Sequence, residues 1–589
     1  MTVAHAPGPR VSADTPAKAW LRALERTGAL AAAPTLTLPA RIAALAEERG
    51  AAPAVLAEGE ALSFAELGAR MDGYGRWAAQ QGLRPGEVVG LLMPNRPEFM
   101  AAWLGLTRVG VVVALLNSHL RGSSLAHCVR VAAPRAVIVD ARLAELSDTV
   151  RQACPDARIQ LVGDGGPLDV TVAEHGAAVA TAPVILSDPA LLIYTSGTTG
   201  LPKAARVSHH RALRWSAWFA GLWDAGPDDR LYDPLPLYHS IGGVAAAGAA
   251  LLSGGSVVVR DRFSASQFWP DVVRWDCTLF QYIGELCRYL VNAPVHPDEA
   301  RHRLRLACGN GLRPDIWEAF QARFEIPRVL EFYASTEGNF SLFNIEGRVG
   351  SIGRTPGFLK HRSPVVLARF DEATGEPARG ADGLCIACAP GEVGEALGAV
   401  ARDRPESGFE GYTDPAATER KMVRGAFQPG DAWVRTGDLM RQDGQGFFYF
   451  VDRVGDTFRW KGENVATTEV AEALASAPGV REAVVYGVAV PGADGRAGMA
   501  ALTVEPGWSP EGLAQWLATR LPAYARPVFL RAVGEVAATE TFKPRKAELV
   551  AESFDPGRVA DPLWLLQPDG YTPLHAALHA RLVEGDVRV

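Results

Sequence analysis

Lysine and cysteine are both scarce in this chain. Only seven of the 59 basic residues are lysine, so arginine supplies most of the positive charge. The seven cysteines are scattered, which fits a reducing cytosol better than a disulfide framework. Cys385 and Cys388 are closely spaced, but no second pair completes a zinc site with them. Where lysine is retained beside glycine or aromatic residues, as at 203, 461 and 543, a compact mobile charge is indicated.

Targeting and membrane signals are also lacking. No N-terminal stretch combines a basic start, a long apolar core and a cleavage site, which predicts a cytoplasmic protein. The most apolar window, residues 241–259, is interrupted by small polar residues and predicts a buried helix followed by a strand. The net charge of −7 gives no indication of nucleic-acid binding.

The pattern of apolar residues predicts an α/β fold. From residue 37 to about residue 450, strand-like runs such as 88–93 and 111–116 alternate with helical patterns such as 64–81. This alternation is typical of parallel sheets covered by helices.

Residues 194–203 read Tyr-Thr-Ser-Gly-Thr-Thr-Gly-Leu-Pro-Lys and follow an apolar strand-like run. Glycine allows the backbone to approach an anion, hydroxyls donate hydrogen bonds, and lysine adds charge. The segment predicts a loop that holds the phosphates of a nucleoside triphosphate, with a polar surface turn as the alternative. A P-loop is rejected because Ala204, not Ser or Thr, follows the lysine. The predicted phosphate-binding residues are Thr195, Ser196, Gly197, Thr198, Thr199, Gly200 and Lys203.

Two later segments add nucleotide chemistry. Residues 333–339 read Tyr-Ala-Ser-Thr-Glu-Gly-Asn, in which Tyr333 could stack on a base, Thr336 could donate to phosphate and Glu337 could hold Mg²⁺. Residues 435–439 read Arg-Thr-Gly-Asp-Leu, and Asp438 is predicted to bind the ribose hydroxyls. A structural role for Tyr333 and Glu337, and a turn-capping role for Asp438, are the alternatives.

Together these segments resemble the adenylate-forming superfamily, which contains acyl-CoA synthetases, luciferases and adenylation domains of peptide synthetases. The narrower resemblance is to the branch of fatty-acid transport proteins and very-long-chain acyl-CoA synthetases. It rests on residues 235–240 (Leu-Pro-Leu-Tyr-His-Ser), 280–290, 309–317, 458–464 and the tail 554–582.

The resemblance implies a two-step reaction. A carboxylate attacks the α-phosphorus of ATP and expels pyrophosphate, and the thiol of coenzyme A then takes the acyl group from the acyl adenylate and releases AMP. It implies these roles: Lys543 bridges the carboxylate and the α-phosphate; Gly309, Asn310 and Gly311 line the adenine pocket; Arg453 joins Asp438 at the ribose; His239 lies beside the acyl carboxylate; Tyr282 and Gly284 border the acyl tunnel; and Lys461 and Gly462 serve the coenzyme A side. A packed core histidine and a surface lysine are the alternatives for His239 and Lys543.

The resemblance also implies two domains, a large adenylating domain and a small mobile α+β C-terminal domain. We expect an N-terminal tail and helix at 1–36, the large domain at 37–452, a hinge at 453–456 and the small domain at 457–589. Two positions depart from the family pattern: Gly455 stands at the hinge where relatives have aspartate or lysine, and Ala334 follows Tyr333 where relatives have glycine.

The predicted function is ATP- and Mg²⁺-dependent ligation of a long- or very-long-chain fatty acid to coenzyme A. Three alternatives stay open: transfer of the acyl group, or of a non-fatty carboxylate, to a carrier protein or other nucleophile; a peripheral lipid-uptake protein that acts by metabolic trapping at the inner face of the membrane; and a nucleotide-binding regulator without chemistry. The expected partners are the fatty acid, ATP and coenzyme A, without nucleic acid. The natural acid and the oligomeric state are not readable from the sequence.

Overall fold

The computed structural model describes residues 15–163, 183–195, 202–359, 365–371, 374–400, 409–461, 463–491, 493, 495–536 and 546–587. The chain divides into two compact units, which we treat separately. The first unit comprises Met1–Pro364, Gly398–Arg424 and Asp431–Val434, and the second comprises Val365–Leu397, Gly425–Gly430 and Arg435–Val589. The domain limits and the hinge expected from the sequence remain predictions.

Some helices begin at residues whose side chains cap the first turn. Ser63 and Glu66 form a reciprocal capping box at the start of one helix, and the Ser208 hydroxyl accepts a hydrogen bond from the Arg211 amide at the start of another. The α-helices are α1 Pro16–Gly28, α2 Leu38–Glu48, α3 Phe64–Gln80, α4 Pro97–Arg108, α5 Gly122–Ala132, α6 Ser147–Ala153, α7 His209–Trp223, α8 Ala247–Leu252, α9 Ala265–Arg274, α10 Gly284–Asn292, α11 Pro314–Phe324, α12 Pro415–Arg420, α13 Thr467–Ala475, α14 Leu513–Ala518, α15 Lys546–Glu552 and α16 Ala576–Val583.

Strands coincide with the apolar runs of the sequence, and β4 below is buried along its whole length. The strands of the first part of the chain are β1 Pro53–Ala57, β2 Glu60–Ser63, β3 Val88–Leu92, β4 Val112–Leu116, β5 Ala136–Asp140, β6 Arg158–Val162, β7 Pro189–Thr195, β8 Lys203–Ser208, β9 Arg230–Asp233, β10 Ser256–Val259, β11 Leu279–Ile283, β12 Leu306–Asn310, β13 Val329–Ala334 and β14 Ser341–Asn344. Those that follow are β15 Val365–Asp371, β16 Glu376–Pro377, β17 Val393–Ala399, β18 Met422–Arg424, β19 Ala432–Gln442, β20 Phe448–Arg453, β21 Phe458–Trp460, β22 Glu463–Val465, β23 Val480–Val488, β24 Ala497–Val504, β25 Phe529–Ala532, β26 Leu563–Gln567 and β27 Gly570–Pro573.

Two mainly parallel sheets form the first unit, as the alternating pattern predicts. One has the strand order β6-β5-β3-β4-β7-β8, and the other has the order β14-β13-β12-β11-β9-β10-β1-β2. The antiparallel pairs lie at sheet edges, between β7 and β8, β13 and β14, and β1 and β2. Helices α3, α4, α7 and α8 contribute buried side chains to the same hydrophobic core as the strands. The predicted α/β class is thereby confirmed.

The predicted buried segment at 241–259 is also observed. It contains a π-helical stretch, Ser240–Ala246, followed by α8 and β10, and its apolar side chains are almost entirely buried. No helix among the described residues combines the length and the apolar character that crossing a lipid bilayer requires.

A mixed sheet organises the second unit. Its order is β23-β24-β25-β26-β27, with β24 and β25 parallel and the other neighbours antiparallel. The core of this unit is a separate hydrophobic cluster, in which the rings of Phe529 and Phe554 stack with their centroids 4.1 Å apart. Since α13, α14 and α16 add buried side chains to the cluster, the C-terminal part of the chain has its own core.

Candidate active site

The two ends of the predicted phosphate loop lie on neighbouring strands. Thr195 ends β7, Lys203 begins β8, and the antiparallel register places these two residues opposite each other. The intervening predicted ligands, Ser196, Gly197, Thr198, Thr199 and Gly200, lie outside the described residues. The described flanks lie on the last two strands of the six-stranded sheet, β7 and β8.

A segment from far along the chain pairs with β8. The Arg206 amide donates to the Gly411 carbonyl at 3.0 Å, and the Thr413 amide donates to the Ala204 carbonyl at 2.9 Å. This pairing brings the ring of Tyr412 near Lys203, at the start of β8. Sequence analysis did not identify Tyr412 because its position depends on contacts with residues about 200 positions earlier.

Tyr412 connects three predicted site residues. The Lys203 ammonium lies 5.8 Å from the centroid of the Tyr412 ring, within the range of a cation–π interaction. The Tyr412 hydroxyl hydrogen-bonds the carboxylate of Glu337 and the hydroxyl of Thr195. Burial, and then the charge of Glu337, raise the pKa of Tyr412, so this phenol stays protonated and can donate to the carboxylate.

The loop after β13 carries Thr336 and Glu337. The Thr336 hydroxyl hydrogen-bonds the Ser240 hydroxyl at 2.9 Å, so this loop contacts the segment that contains His239. His239 is partly buried, and its ring lies against that of Tyr238 with centroids 4.7 Å apart. The loop predicted to handle phosphate therefore touches the segment predicted to handle the acyl carboxylate.

Two cations surround Glu337. The Lys421 ammonium lies 3.5 Å from the Glu337 carboxylate, and both side chains are largely buried, with exposed fractions of 24% and 12%. Arg211, in the first turn of α7, donates to the Gly338 carbonyl and contributes positive charge next to Glu337. Lys421 lies outside the motifs that predicted site residues, and the scarcity of lysine in the chain is the sequence signal that points to it.

Tyr333 lies at the end of β13 and is partly buried. Its ring packs against Phe340 with centroids 5.8 Å apart and planes inclined by 31°. The next residue, Ala334, is exposed, so its methyl group extends from the strand end without being enclosed by the core. The base-stacking role of Tyr333 remains a prediction.

The predicted adenine segment packs closely on the predicted acyl segment. A Cβ added to Gly309 would lie 2.2 Å from the Tyr282 ring, and one added to Gly284 would lie 1.8 Å from the Gly311 carbonyl oxygen. These positions therefore require glycine for close backbone approach. Asn310, between the two glycines of the adenine segment, ends β12 and is partly buried.

A buried carboxyl group supports this segment from β13. Glu331 accepts hydrogen bonds from the Tyr282 hydroxyl at 2.7 Å and from the Leu312 amide at 3.1 Å. Burial raises the pKa of Glu331 to about 8, because an ionised carboxylate there would lose its hydration. Tyr282 is fully buried, and its hydroxyl is held by the hydrogen bond to Glu331. Its acyl-binding role remains a prediction.

In the second unit, Asp438 and Arg453 lie opposite each other on β19 and β20. The Arg453 Nε is 3.7 Å from the Asp438 Oδ1, and the two side chains are 40% and 15% exposed. Fully buried Glu395 holds the part of β19 before Asp438, since it accepts from the Gly437 amide at 3.0 Å and from Arg435 at 2.8 Å. The two residues predicted to bind ribose are therefore brought together on a braced strand, and their ligand remains a prediction.

Of the remaining predicted residues, Lys461 is exposed in the turn between β21 and β22, with a positive φ of 52°. Its ammonium lies 5.5 Å from the centroid of the Trp460 ring. Gly455, at the predicted hinge, is exposed and also has a positive φ, of 93°. Gly462 and Lys543 lie outside the described residues.

Comparison with known proteins agrees with the resemblance drawn from the motifs. The model of the AMP-binding enzyme family matches residues 42–395, and that of the AMP-binding enzyme C-terminal domain matches residues 469–543. The chain is 43% identical over 539 residues to long-chain fatty acid transport protein 1 of Mus musculus, covering 89% of this chain and 83% of that protein. It is 42% identical over 525 residues to the medium/long-chain-fatty-acid–CoA ligase FadD6 of Mycobacterium tuberculosis, covering 87% of this chain and 86% of the ligase.

Solved structures agree on the fold. The ATP-bound MatB of Rhodopseudomonas palustris superposes with a TM-score of 0.74 at 23% identity, covering 88% of this chain and 99% of MatB. The expectation of an adenylate-forming fold is confirmed by this match together with the family models. The chain belongs to the family of AMP-binding enzymes, in the branch that includes the long-chain fatty acid transport proteins.

Proposed function

We propose that this chain is an ATP-dependent fatty acid–CoA ligase. It would activate a long- or very-long-chain fatty acid as the acyl adenylate with release of pyrophosphate, and then transfer the acyl group to coenzyme A with release of AMP. The observation that carries the proposal is the hydrogen bond between Ser240 and Thr336, 2.9 Å long. It joins the segment assigned to the acyl carboxylate with the segment assigned to phosphate, and adenylation requires those two groups to meet.

The first step brings two anions together, so the site must supply positive charge and hydrogen-bond donors. Lys203 and Thr195 flank the predicted phosphate loop, and Thr336, which hydrogen-bonds Ser240, adds a further hydroxyl. We assign the bridge between carboxylate and α-phosphate to Lys543, by its match to the family lysine. Its loss should mainly slow adenylation, by about a hundredfold.

Magnesium fits the carboxylate of Glu337. Mg²⁺ in nucleotide sites is usually held by one or two carboxylates together with phosphate oxygens. Glu337 is 12% exposed, and the described residues contain no cluster of three or more His, Cys, Asp or Glu side chains suited to a metal. A bound Mg²⁺ would neutralise phosphate charge there, while Tyr412 orients the carboxylate by its hydrogen bond.

The relatives favour fatty acids as substrates. FadD6 is named as a ligase of medium- and long-chain fatty acids, and the other cited relative is named as a long-chain fatty acid transport protein. The second name supports a further candidate function, lipid uptake at a membrane surface by metabolic trapping. Recovery of the purified protein with floated liposomes would support surface contact, and its absence from the floated fraction would count against it.

The test of the main proposal is turnover of the purified chain with ATP, Mg²⁺ and acids from short to very long chain. AMP, pyrophosphate and acyl-CoA would be followed by mass spectrometry, with and without coenzyme A. We expect acyl-CoA with an optimum at long chains, and about a hundredfold slower pyrophosphate release in Lys543→Ala. Lys18→Ala, which removes an exposed lysine of α1, is the matched control and should leave turnover unchanged.

Two outcomes would contradict the proposal in different ways. Equal AMP formation without coenzyme A, and no thioester with it, would show that the acceptor is a carrier protein or another nucleophile. Failure to turn over any aliphatic acid, with turnover of an aryl or other non-fatty carboxylate, would show that the substrate class is wrong.

A further inference from the structure

Lys421 is one of seven lysines in a chain that otherwise uses arginine, and it faces the carboxylate assigned to Mg²⁺. It follows α12 directly and caps the end of that helix. Its ammonium lies 3.5 Å from the Glu337 Oε1. An ammonium group at this distance neutralises the carboxylate, which is the electrostatic effect that a bound metal ion would also have.

Arg211, a second described cation near Glu337, has little freedom to move. Arg211 is 9% exposed, and it is fixed by its donation to the Gly338 carbonyl and by the ring of Trp215, 5.1 Å from its guanidinium. Lys421 is 24% exposed and carries its charge on a flexible stem at a helix end. Of these two cations, Lys421 is therefore the one that can leave the carboxylate.

Tyr412 holds Glu337 from another side. Its hydroxyl hydrogen-bonds the Glu337 carboxylate and its backbone is paired with β8, so the carboxylate keeps a fixed partner when Lys421 moves. A neutral phenol can stay in place beside a metal-bound carboxylate. An ammonium and a divalent cation repel each other at such short range, so both cannot occupy the same carboxylate oxygen.

We propose that Lys421 is a positioning residue that occupies the place of the metal ion, neutralising Glu337 until the metal–nucleotide complex displaces it. This rests on the proposed function, because it takes Glu337 as the Mg²⁺ ligand. The exchange keeps the carboxylate paired and oriented in the absence of nucleotide. It also weakens metal binding, because each Mg²⁺ must replace an existing ion pair, and it favours release of the metal with pyrophosphate.

The test is equilibrium binding of ATP to the full chain without acid or coenzyme A, measured by calorimetry in EDTA and in excess Mg²⁺. We call the ratio of the dissociation constant in EDTA to the dissociation constant in excess Mg²⁺ the metal enhancement. In Lys421→Met, Glu337 without the lysine ammonium should repel ATP in EDTA and hold Mg²⁺ more tightly when it is present. The metal enhancement should therefore rise about tenfold, which corresponds to about 1.4 kcal/mol.

Three further variants separate this role from others. Lys421→Arg retains the charge and should keep the metal enhancement near the wild-type value. Glu337→Gln should lower it, and adding Lys421→Met to Glu337→Gln should produce no rise. Arg420→Met removes the neighbouring cation, which is 63% exposed and 3.7 Å from Asp414, and is the matched control with an expected wild-type value.

Several results would overturn the proposal. If Lys421→Met weakens ATP binding equally in EDTA and in Mg²⁺, Lys421 binds phosphate directly. If the metal enhancement rises as much in the background of Glu337→Gln, the effect does not pass through the ion pair. If wild-type protein does not bind ATP in either condition, the proposed function itself fails, which is distinguishable from an unchanged ratio in a protein that binds ATP. If Lys421→Met does not fold, Lys421→Gln replaces it, with the same expected rise in the metal enhancement.

Discussion

Glu331→Gln should remove a pH-dependent part of the folding free energy. Glu331 lies on β13 with 2% of its surface exposed, and burial raises the pKa of its carboxyl group from 4.5 to about 8. The hydrogen bonds that it accepts from the Tyr282 hydroxyl and the Leu312 amide lower this pKa, but by less than burial raises it. The folded protein therefore carries a proton on Glu331 at neutral pH.

The sign and size of the effect follow from proton linkage. Between the two pKa values the folded protein binds a proton that the unfolded chain has lost, so stability falls as pH rises through this window. The limiting slope is about 1.4 kcal/mol per pH unit. Between about pH 5 and about pH 7, the contribution of Glu331 to the free energy of unfolding should fall by about 2 kcal/mol. A glutamine does not titrate, so this contribution disappears in the variant.

The assay is urea unfolding of wild type and Glu331→Gln at several pH values and constant ionic strength, with hydrogen exchange of the Leu312 amide as a local probe. The stability difference between the two proteins should change by about 2 kcal/mol over that interval. Glu318→Gln, which replaces an exposed carboxylate on α11, is the matched control and should run parallel to wild type. Parallel curves for wild type and Glu331→Gln would refute the reasoning.

Two further predictions concern buried charge. Arg435→Leu leaves fully buried Glu395 without its guanidinium partner, 2.8 Å away, and should cost about 3–5 kcal/mol of stability in urea unfolding. Arg424→Leu breaks a solvent-exposed pair and should cost at most about 1 kcal/mol, and equal losses would contradict the burial argument. Burial lowers the pKa of His209 from 6.5 to about 4. Between these pH values the unfolded chain binds a proton on this histidine and the folded protein does not, so the free energy of unfolding falls as pH drops. His209→Gln should flatten that acid limb of the stability profile, and an unchanged limb would show that other groups cause it.

Short motifs can be read from the sequence because their chemistry and spacing are local, and the roles assigned to their residues remain predictions. Asp438 and Arg453 were identified separately, and the hairpin register then placed them opposite each other. Thr336 and Glu337 follow the strand that the apolar pattern indicated. The apolar runs likewise predicted the parallel sheets, since burial on both faces leaves a continuous apolar sequence.

The residues that were missed depend on contacts between distant segments. Tyr412 reaches Thr195 and Glu337 only because its backbone pairs with β8, and no local pattern encodes that pairing. Lys421 was passed over because its neighbours in sequence contain neither the glycine nor the aromatic residues that marked the other lysines. Glu331 sits in an apolar strand, where sequence alone does not reveal which atoms satisfy a buried carboxyl group.

The pairing of β8 with residues 411–413 also has a consequence during synthesis. Within the part of the sheet that the structure describes, β8 is the last strand in the sheet order. The Ser208 hydroxyl at the end of β8 donates to the carboxylate of Glu410, which lies 202 residues further along the chain. At translation rates of about 5–20 residues per second, the ribosome needs about 10–40 s to supply that partner. During this interval the nascent chain presents an open strand edge, which is a template for aggregation. Binding by a holdase chaperone in that window would protect the growing polypeptide until the edge is covered.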